Sequence, residues 1–105
     1  MSVIHLTEDS FKKLIQSNQL VLVDFWAPWC GPCMALGPIM DKLSDLYKDK
    51  AVVAKVNIDE VPQLAVELDV SSIPTVKFFK NGQEIESLSA AYPQSKYQQI
   101  MEANL

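Results

Sequence analysis

The stretch from Leu20 to Cys33, which reads LVLVDFWAPWCGPC, most constrains how this chain folds. Residues 20–26 are aliphatic, β-branched or aromatic apart from one aspartate, which predicts a central strand covered on both faces. Beyond Cys33 the apolar residues recur at a spacing of three and four, which predicts a helix buried along one side. These residues are Leu36, Ile39, Met40, Leu43, Leu46 and Tyr47. We therefore expect the two cysteines of the chain at a strand-to-helix junction.

Cys30 falls at the N-terminus of this predicted helix. Gly31 gives the turn conformational latitude, and Pro32 lies where its missing N–H costs little, because the first helical amides have no intrahelical partner. The helix dipole and those amides stabilise an anion by up to about 2 kcal/mol, and one pKa unit corresponds to about 1.4 kcal/mol. A shift of one unit from about 8.5 would raise the thiolate fraction at pH 7 from roughly 3% to about a quarter. The position favours a reactive thiolate on Cys30.

The cysteine pair is open to three interpretations. A purely structural disulfide across about four residues would constrain the unfolded chain by only ~2 kcal/mol, which is a weak crosslink. A zinc site would be short of ligands, because the chain has one Cys-x-x-Cys and one histidine. Redox chemistry is therefore the favoured interpretation, and no metal is expected.

Two ionisable residues lie inside predicted apolar strands. Burial would raise the pKa of Asp24, which is either solvated at an open strand end or a proton acceptor for the second thiol. Lys55 lies within the alternating strand Ala51 to Ile58. Its ammonium either extends to water or neutralises Asp24 on the neighbouring strand. Both residues are candidates for a catalytic role.

The rest of the chain supplies the other elements. A strand from Val3 precedes a helix capped by Thr7, and Asp59 is expected to cap a short helix that begins near Pro62. Asn81-Gly82 is a strong hairpin signal, and a last helix is expected from about Gln94. This order predicts a parallel α/β unit followed by a helix, a hairpin and a closing helix.

Composition limits the classes of function. A chain of 105 residues, 49% of them hydrophobic, is expected to form a single domain over residues 1–105 with a core that needs no disulfide. The net charge of −4 without a basic cluster argues against nucleic acid as a partner. With neither an apolar run long enough to span a membrane nor a signal peptide, the chain is expected in the cytoplasm. In that reducing compartment a cysteine pair is expected to cycle.

The motifs together resemble the thioredoxin family. The resemblance is carried by Asp24-Phe25-Trp26, Trp29-Cys30-Gly31-Pro32-Cys33, Asn57-Ile58-Asp59, Ile73-Pro74-Thr75 and Phe79-Lys80-Asn81-Gly82. It implies the α/β thioredoxin fold, a central mixed five-stranded sheet flanked by four helices. It also implies a thiol-disulfide oxidoreductase that reduces protein disulfides.

The resemblance further implies a role for each site residue. Cys30 attacks the substrate as a thiolate, Cys33 resolves the mixed disulfide, and Asp24, beneath the disulfide with Lys55 beside it, removes a proton. The substrate-binding residues would be Trp29, Gly31, Pro32, Ile73, Pro74 and Ala90. X-Pro bonds are mostly trans. The matching proline of the family is cis and faces the disulfide, where the preceding backbone can pair with a substrate strand.

The implied partners are disulfide-containing proteins and a flavin-containing thioredoxin reductase that uses NADPH, with a monomeric chain that binds no cofactor itself. Three residues depart from the family pattern: Met34, Ser72 and Ala90. Two other functions remain open. One is a thiol oxidase or isomerase, which the Gly31-Pro32 pair disfavours because those relatives more often carry histidine there. The other is a non-catalytic role as a subunit of a larger complex.

Overall fold

The order of helices and strands follows the sequence prediction. The computed structural model describes residues 3–105. Its elements are β1 (Ile4–His5), α1 (Glu8–Leu14), β2 (Leu20–Trp26), α2 (Gly31–Leu46), β3 (Ala51–Asn57), α3 (Pro62–Glu67), β4 (Thr75–Lys80), β5 (Gln83–Leu88) and α4 (Gln94–Asn104). No helix within the described residues is both long enough and apolar enough to cross a membrane.

The strands form one mixed sheet of five strands in the order β1-β3-β2-β4-β5. β1 and β2 both run parallel to β3, whereas β4 is antiparallel to its neighbours β2 and β5. β2 is the central strand, and six of its seven residues are buried. A continuous apolar run in the sequence thus corresponds to a strand covered on both faces.

Alternation along β2 divides the core into two layers. Leu20 and Leu22 pack with the buried residues of α2 and α4, while Val21, Val23 and Phe25 pack on the opposite face with those of α1 and α3. Because side chains alternate along a strand, Asp24 and Trp26 lie on the same face as Leu20 and Leu22, the face covered by α2.

Several local sequence signals are confirmed, and one prediction is wrong. Thr7 caps α1, since its Oγ1 accepts the backbone N–H of Ser10 at 3.1 Å. Asn81 and Gly82 have φ values of 55° and 82°, as a two-residue hairpin turn requires. Asp59, however, does not cap α3. That helix begins at Pro62 with no side-chain cap, and the Asp59 carboxylate bonds elsewhere.

The sheet brings three distant segments to one edge. Trp26 at the end of β2 pairs with Asn57 at the end of β3, so the chain leaves both parallel strands on the same side. Thr75 at the start of the antiparallel strand β4 pairs with Phe25. The residues after β2, the residues after β3 and the residues before β4 therefore meet there.

Candidate redox site at the end of the central strand

Cys30 and Cys33 form a disulfide at the N-terminus of α2, with their Cα atoms 5.2 Å apart. Cys30 is the N-cap residue of the helix, and its Sγ accepts the backbone N–H of Cys33 at 3.2 Å. Gly31 and Pro32 occupy the first two helical positions, which places Pro32 in the first turn as the sequence predicts, and both residues are exposed. In the reduced protein the same N–H and the helix dipole would stabilise a thiolate on Cys30.

The two sulfur-bearing residues differ in exposure. Cys30 is 7% exposed and Cys33 is 2% exposed. Cys33 belongs to the buried side of α2, which continues through Leu36, Met40 and Leu43. Cys30 is therefore the more accessible residue of the pair.

Asp24 is a fully buried acid on the face of β2 that α2 covers. Neither carboxylate oxygen accepts a hydrogen bond from any residue of the described range 3–105. Burial raises the pKa of Asp24 to about 7, and the positive charge of Lys55 opposes that rise. The sequence prediction of a raised pKa is confirmed, and the acid changes protonation state close to neutral pH.

Lys55 lies beside Asp24 without hydrogen-bonding to it. The two residues are paired in the parallel register of β2 and β3. The Lys55 Nζ lies 5.4 Å from the centre of the Trp26 ring, and a Cβ added to Gly37 of α2 would be 3.5 Å from this Nζ. The ammonium is thus held between the sheet and α2, over an aromatic face that attracts a cation. It influences Asp24 through charge alone.

Trp26 is a site residue that the sequence did not single out. Its Nε1 is buried and, like the Asp24 carboxylate, has no hydrogen-bond partner within residues 3–105. A buried polar atom without a hydrogen-bond partner carries a desolvation penalty. Trp26, Asp24 and Lys55 therefore make a small polar region under α2 within an otherwise apolar layer.

The path of the chain places this polar region beneath the cysteines. α2 starts after the end of β2 and returns along the sheet to the start of β3, which pairs with the start of β2 through Ala51 and Leu20. The first turn of α2, which carries Cys33, consequently lies over the end of β2 where Asp24 and Trp26 are found.

A groove lies beside the cysteines, and we call it the Trp29 groove. It has a volume of about 350 Å³ and is lined by Trp29, Ile58, Val70, Ser71, Ser72 and Ile73. The Trp29 side chain is 68% exposed, and its Nε1 donates to both carboxylate oxygens of Asp59 at 3.1 and 3.2 Å. Two predicted substrate-binding residues, Trp29 and Ile73, are thus brought together.

Asp59, Ile58 and Val70 were not predicted from the sequence as residues of this site. A signal for Asp59 was present, because the acid follows β3 and the ends of parallel strands β2 and β3 lie at one edge. Val70 carried no such signal, since it lies in a loop.

Pro74 and Ala90 lie at the same end of the sheet but do not line the Trp29 groove. The Ile73–Pro74 peptide bond is cis, as the resemblance implied, and Pro74 is buried. The Thr75 Oγ1 donates to the Ser72 carbonyl at 2.7 Å and contacts the Ser89 Oγ at 3.5 Å. The second contact draws the loop that contains Ala90, which is exposed, towards the start of β4.

A metal site is a separate question. Within residues 3–105, no group of three or more His, Cys, Asp or Glu side chains is placed to hold a metal ion. The chemistry that the described side chains supply is that of two cysteines at a helix N-terminus and one buried acid.

A disulfide of this kind, closed across two residues with one sulfur at a helix N-cap, defines a protein that exchanges thiols with disulfides. Comparison with known proteins narrows this class. Residues 2–103 match the family model described as Thioredoxin. The chain is similar to Thioredoxin 1 of Nostoc sp., with 43% identity over 101 residues that cover 95% of this chain and 94% of that protein.

It is also similar to the chloroplastic M-type thioredoxin of Chlamydomonas reinhardtii, with 43% identity across 95% of this chain and 72% of that protein. Among solved structures, a thioredoxin of Malassezia sympodialis superposes with a TM-score of 0.90 at 40% identity, covering 98% of this chain and 90% of that one. The chain therefore belongs to the thioredoxin family and has the thioredoxin fold. It is a thiol-disulfide oxidoreductase whose Cys30 and Cys33 form the exchanging pair.

Proposed function

We propose that this chain is a reductase of protein disulfides that works as an electron carrier, with Cys30 as the attacking residue. The observation that carries the proposal is the Cys30 Sγ at the N-cap of α2, where it accepts the N–H of Cys33, in the more exposed of the two cysteines. A thiolate there is both stabilised and accessible.

The proposed reaction begins with the reduced protein. The Cys30 thiolate attacks one sulfur of a substrate disulfide, a new S–S bond forms, and the other substrate sulfur leaves as a thiolate. Cys33 then loses its proton and attacks the Cys30 Sγ. This step restores the Cys30–Cys33 disulfide and releases the second substrate thiolate. Two electrons pass to the substrate. Of the two departing thiolates, one takes up the proton that Cys33 loses and the other is protonated by solvent.

In this proposal Asp24 accepts the proton of Cys33. Support comes from its full burial, its pKa of about 7 and its place under the first turn of α2. An acid that titrates near neutral pH is suited to take a proton from a thiol and release it again. Lys55 is proposed as a positioning residue, because its charge lowers the pKa of Asp24 against the effect of burial.

Substrate docking is proposed around the disulfide. Trp29 and Ile73 would contact the substrate through the Trp29 groove, and Gly31, Pro32 and Ala90 would contact it at the exposed surface. The backbone before the buried Pro74 would pair with an extended substrate segment, because β4 begins only at Thr75.

After each reaction the Cys30–Cys33 disulfide must be reduced again. A flavin-containing thioredoxin reductase would do this with electrons from NADPH. The protein would act as a monomer in the cytoplasm, as one domain. A reversible cysteine pair suits a reducing compartment. Light scattering in solution would test the monomer, and fractionation of cells that carry a tagged chain would test the location, since the name of one relative specifies a chloroplast.

A two-stage assay tests the proposed function. The chain is first reduced chemically, desalted and mixed with a protein disulfide, and the release of substrate thiols is measured. NADPH oxidation is then followed with candidate flavin reductases in place of the chemical reductant. Turnover in the first stage is expected and would be absent in Cys30→Ser/Cys33→Ser. No thiol release by the reduced wild type would contradict the proposal, whereas failure of the second stage alone would remove only the reductase.

A further inference from the structure

The negative charge of this chain is concentrated on one flank of the redox site. Between Lys55 and Lys77 the sequence contains no Lys, Arg or His. The same segment carries four acids, all exposed: Asp59, Glu60, Glu67 and Asp69. The whole chain has a net charge of −4, so the remaining residues balance to zero. We call these four residues the acidic flank.

Two residues of the acidic flank, Asp59 and Asp69, border the Trp29 groove. Asp59 holds the exposed indole that forms one wall, and Glu60 follows it directly in the chain. Asp69 precedes Val70, which lines the groove, and the N–H of Asp69 is bonded to the Val66 carbonyl at 3.2 Å. Asp59 and Asp69 therefore border an apolar recess that includes Trp29, the residue before Cys30.

A second recess lies on α3, within the same acidic segment of the chain. It has a volume of about 380 Å³ and is lined by Pro62, Gln63, Val66 and Glu67. Val66 is 78% exposed, which is high for an aliphatic residue on a helix that packs against the core. The segment that carries the acidic flank thus also exposes apolar side chains.

The other borders of the disulfide carry no comparable charge. The first turn of α2 has no acidic residue, and Met34 there is 54% exposed. The segment from Ser89 to Ser95, which ends in the first turn of α4, contains no charged residue. A docked protein segment would therefore experience a one-sided field, negative on the α3 side only.

We infer that the substrates this chain reduces fastest carry an apolar residue beside the reactive cysteine and lysine or arginine residues on the side that meets the acidic flank. The apolar residue enters the Trp29 groove, and the basic residues face Glu60, Glu67 and their neighbours. This inference rests on the proposed disulfide reductase function and adds a substrate class to it. Charges at the rim of an interface act mainly on the association rate and its salt dependence.

Two model peptides test the inference. Each contains the same intramolecular disulfide and the same apolar neighbour, and they differ only in two flanking residues, which are lysines in one and glutamates in the other. Rapid acid quench and chromatography give the second-order rate constant of reduction by the chemically reduced protein. Each rate constant is divided by the rate constant for reduction of the same peptide by dithiothreitol, because cationic neighbours accelerate attack by any thiolate.

Reduction of the lysine peptide should be about three- to tenfold faster at about 20 mM ionic strength. The ratio of the two normalised rate constants, lysine peptide over glutamate peptide, should fall towards one at about 300 mM ionic strength, where exposed charges are screened. In Glu60→Gln/Glu67→Gln the ratio should also fall towards one.

Asp49→Asn/Glu86→Gln is the matched control, because it changes the net charge by the same amount. Asp49 precedes β3 at the opposite end of the sheet, where its φ of 70° suits asparagine, and Glu86 lies on the edge strand β5. This variant should keep the wild-type ratio.

Equal normalised rates for the two peptides would overturn the inference while leaving the reductase function intact. An unchanged ratio in Glu60→Gln/Glu67→Gln, or an equal loss in the control variant, would overturn the assignment to the acidic flank. Failure of the wild type to reduce either peptide would overturn the proposed function and this inference with it.

Discussion

Asp24→Asn should make the protein more stable, by an amount that grows as the pH rises from about 4 to 7. Burial raises the pKa of Asp24 from its ordinary 3.8 to about 7 in the folded state. Below pH 4 the carboxyl keeps its proton in both states and carries no penalty. As the pH rises, the unfolded chain releases the proton first, so the wild type loses stability between about pH 4 and pH 7.

The size of the effect follows from the pKa difference of about three units between the folded and unfolded states. At about 1.4 kcal/mol per unit, the buried carboxylate destabilises the wild type by about 4 kcal/mol at pH 8. An asparagine has no such charge to bury, and it resembles the protonated acid in leaving polar atoms without partners. With a urea m-value of about 2 kcal/mol/M, the unfolding midpoint of Asp24→Asn should lie about 2 M higher at pH 8.

Urea unfolding of the oxidised proteins at pH 4 and pH 8 provides the assay. Asp24→Asn and the wild type should have nearly equal midpoints at pH 4 and clearly different ones at pH 8. Glu86→Gln, which removes an exposed carboxylate, serves as the control and should change neither. A variant that is less stable than the wild type at pH 8 would refute the reasoning, since it would mean that the carboxylate is well paired in the folded protein.

Three further predictions concern the site. The rate at which Cys33 attacks a mixed disulfide, measured by rapid quench, should rise around pH 7 in the wild type. This pH dependence should be lost in Asp24→Asn. Trp29→Ala should lower kcat/KM for a protein disulfide by about tenfold with an almost unchanged urea midpoint, because the side chain is 68% exposed; an unaffected kcat/KM would remove Trp29 from the docking surface. Ala90→Gly should cost about 0.5–1 kcal/mol of stability, since the left-handed residues among 3–105 do not include Ala90. A lower KM for the variant would show in addition that the alanine methyl obstructs docking.

The elements nearest the cysteines could be predicted because their signals are local. The apolar run from Leu20 to Trp26 gave the limits of β2 residue for residue. The proline at the second helical position and the change to helical spacing placed Cys30 at the N-cap of α2. Asn81-Gly82 likewise determined the hairpin, since both residues tolerate positive φ.

The parts of the site that escaped prediction depend on contacts between distant residues. Asp59 has the chemistry of a helix cap, and its bond to the Trp29 indole arises only because β2 and β3 end at one edge. Lys55 offered two alternatives, extension to water or neutralisation of Asp24. The structure matches neither alternative completely. The ammonium lies over the Trp26 ring, and it acts on the Asp24 carboxylate through charge alone. Propensity and periodicity carry no information on such packing.

The Trp29 groove likewise could not be predicted from sequence patterns. Its walls come from the turn before α2, the end of β3 and the loop before β4, three segments that are far apart in sequence. The resemblance to a family pointed to Trp29 and Ile73. It could not reveal the concentration of acids along the same border, because that feature combines this chain's own sequence with its fold.

Trapping of the mixed disulfide tests the central claim most directly. Reduced Cys33→Ser and reduced Cys30→Ser are each mixed with a protein disulfide, and the adducts are quantified and located by mass spectrometry. The greater exposure of Cys30 and its position at the N-cap of α2 predict that Cys33→Ser accumulates an adduct on Cys30, whereas Cys30→Ser accumulates little. Equal adducts in both variants, or a preference for Cys33, would contradict the assignment of Cys30 as the attacking thiolate.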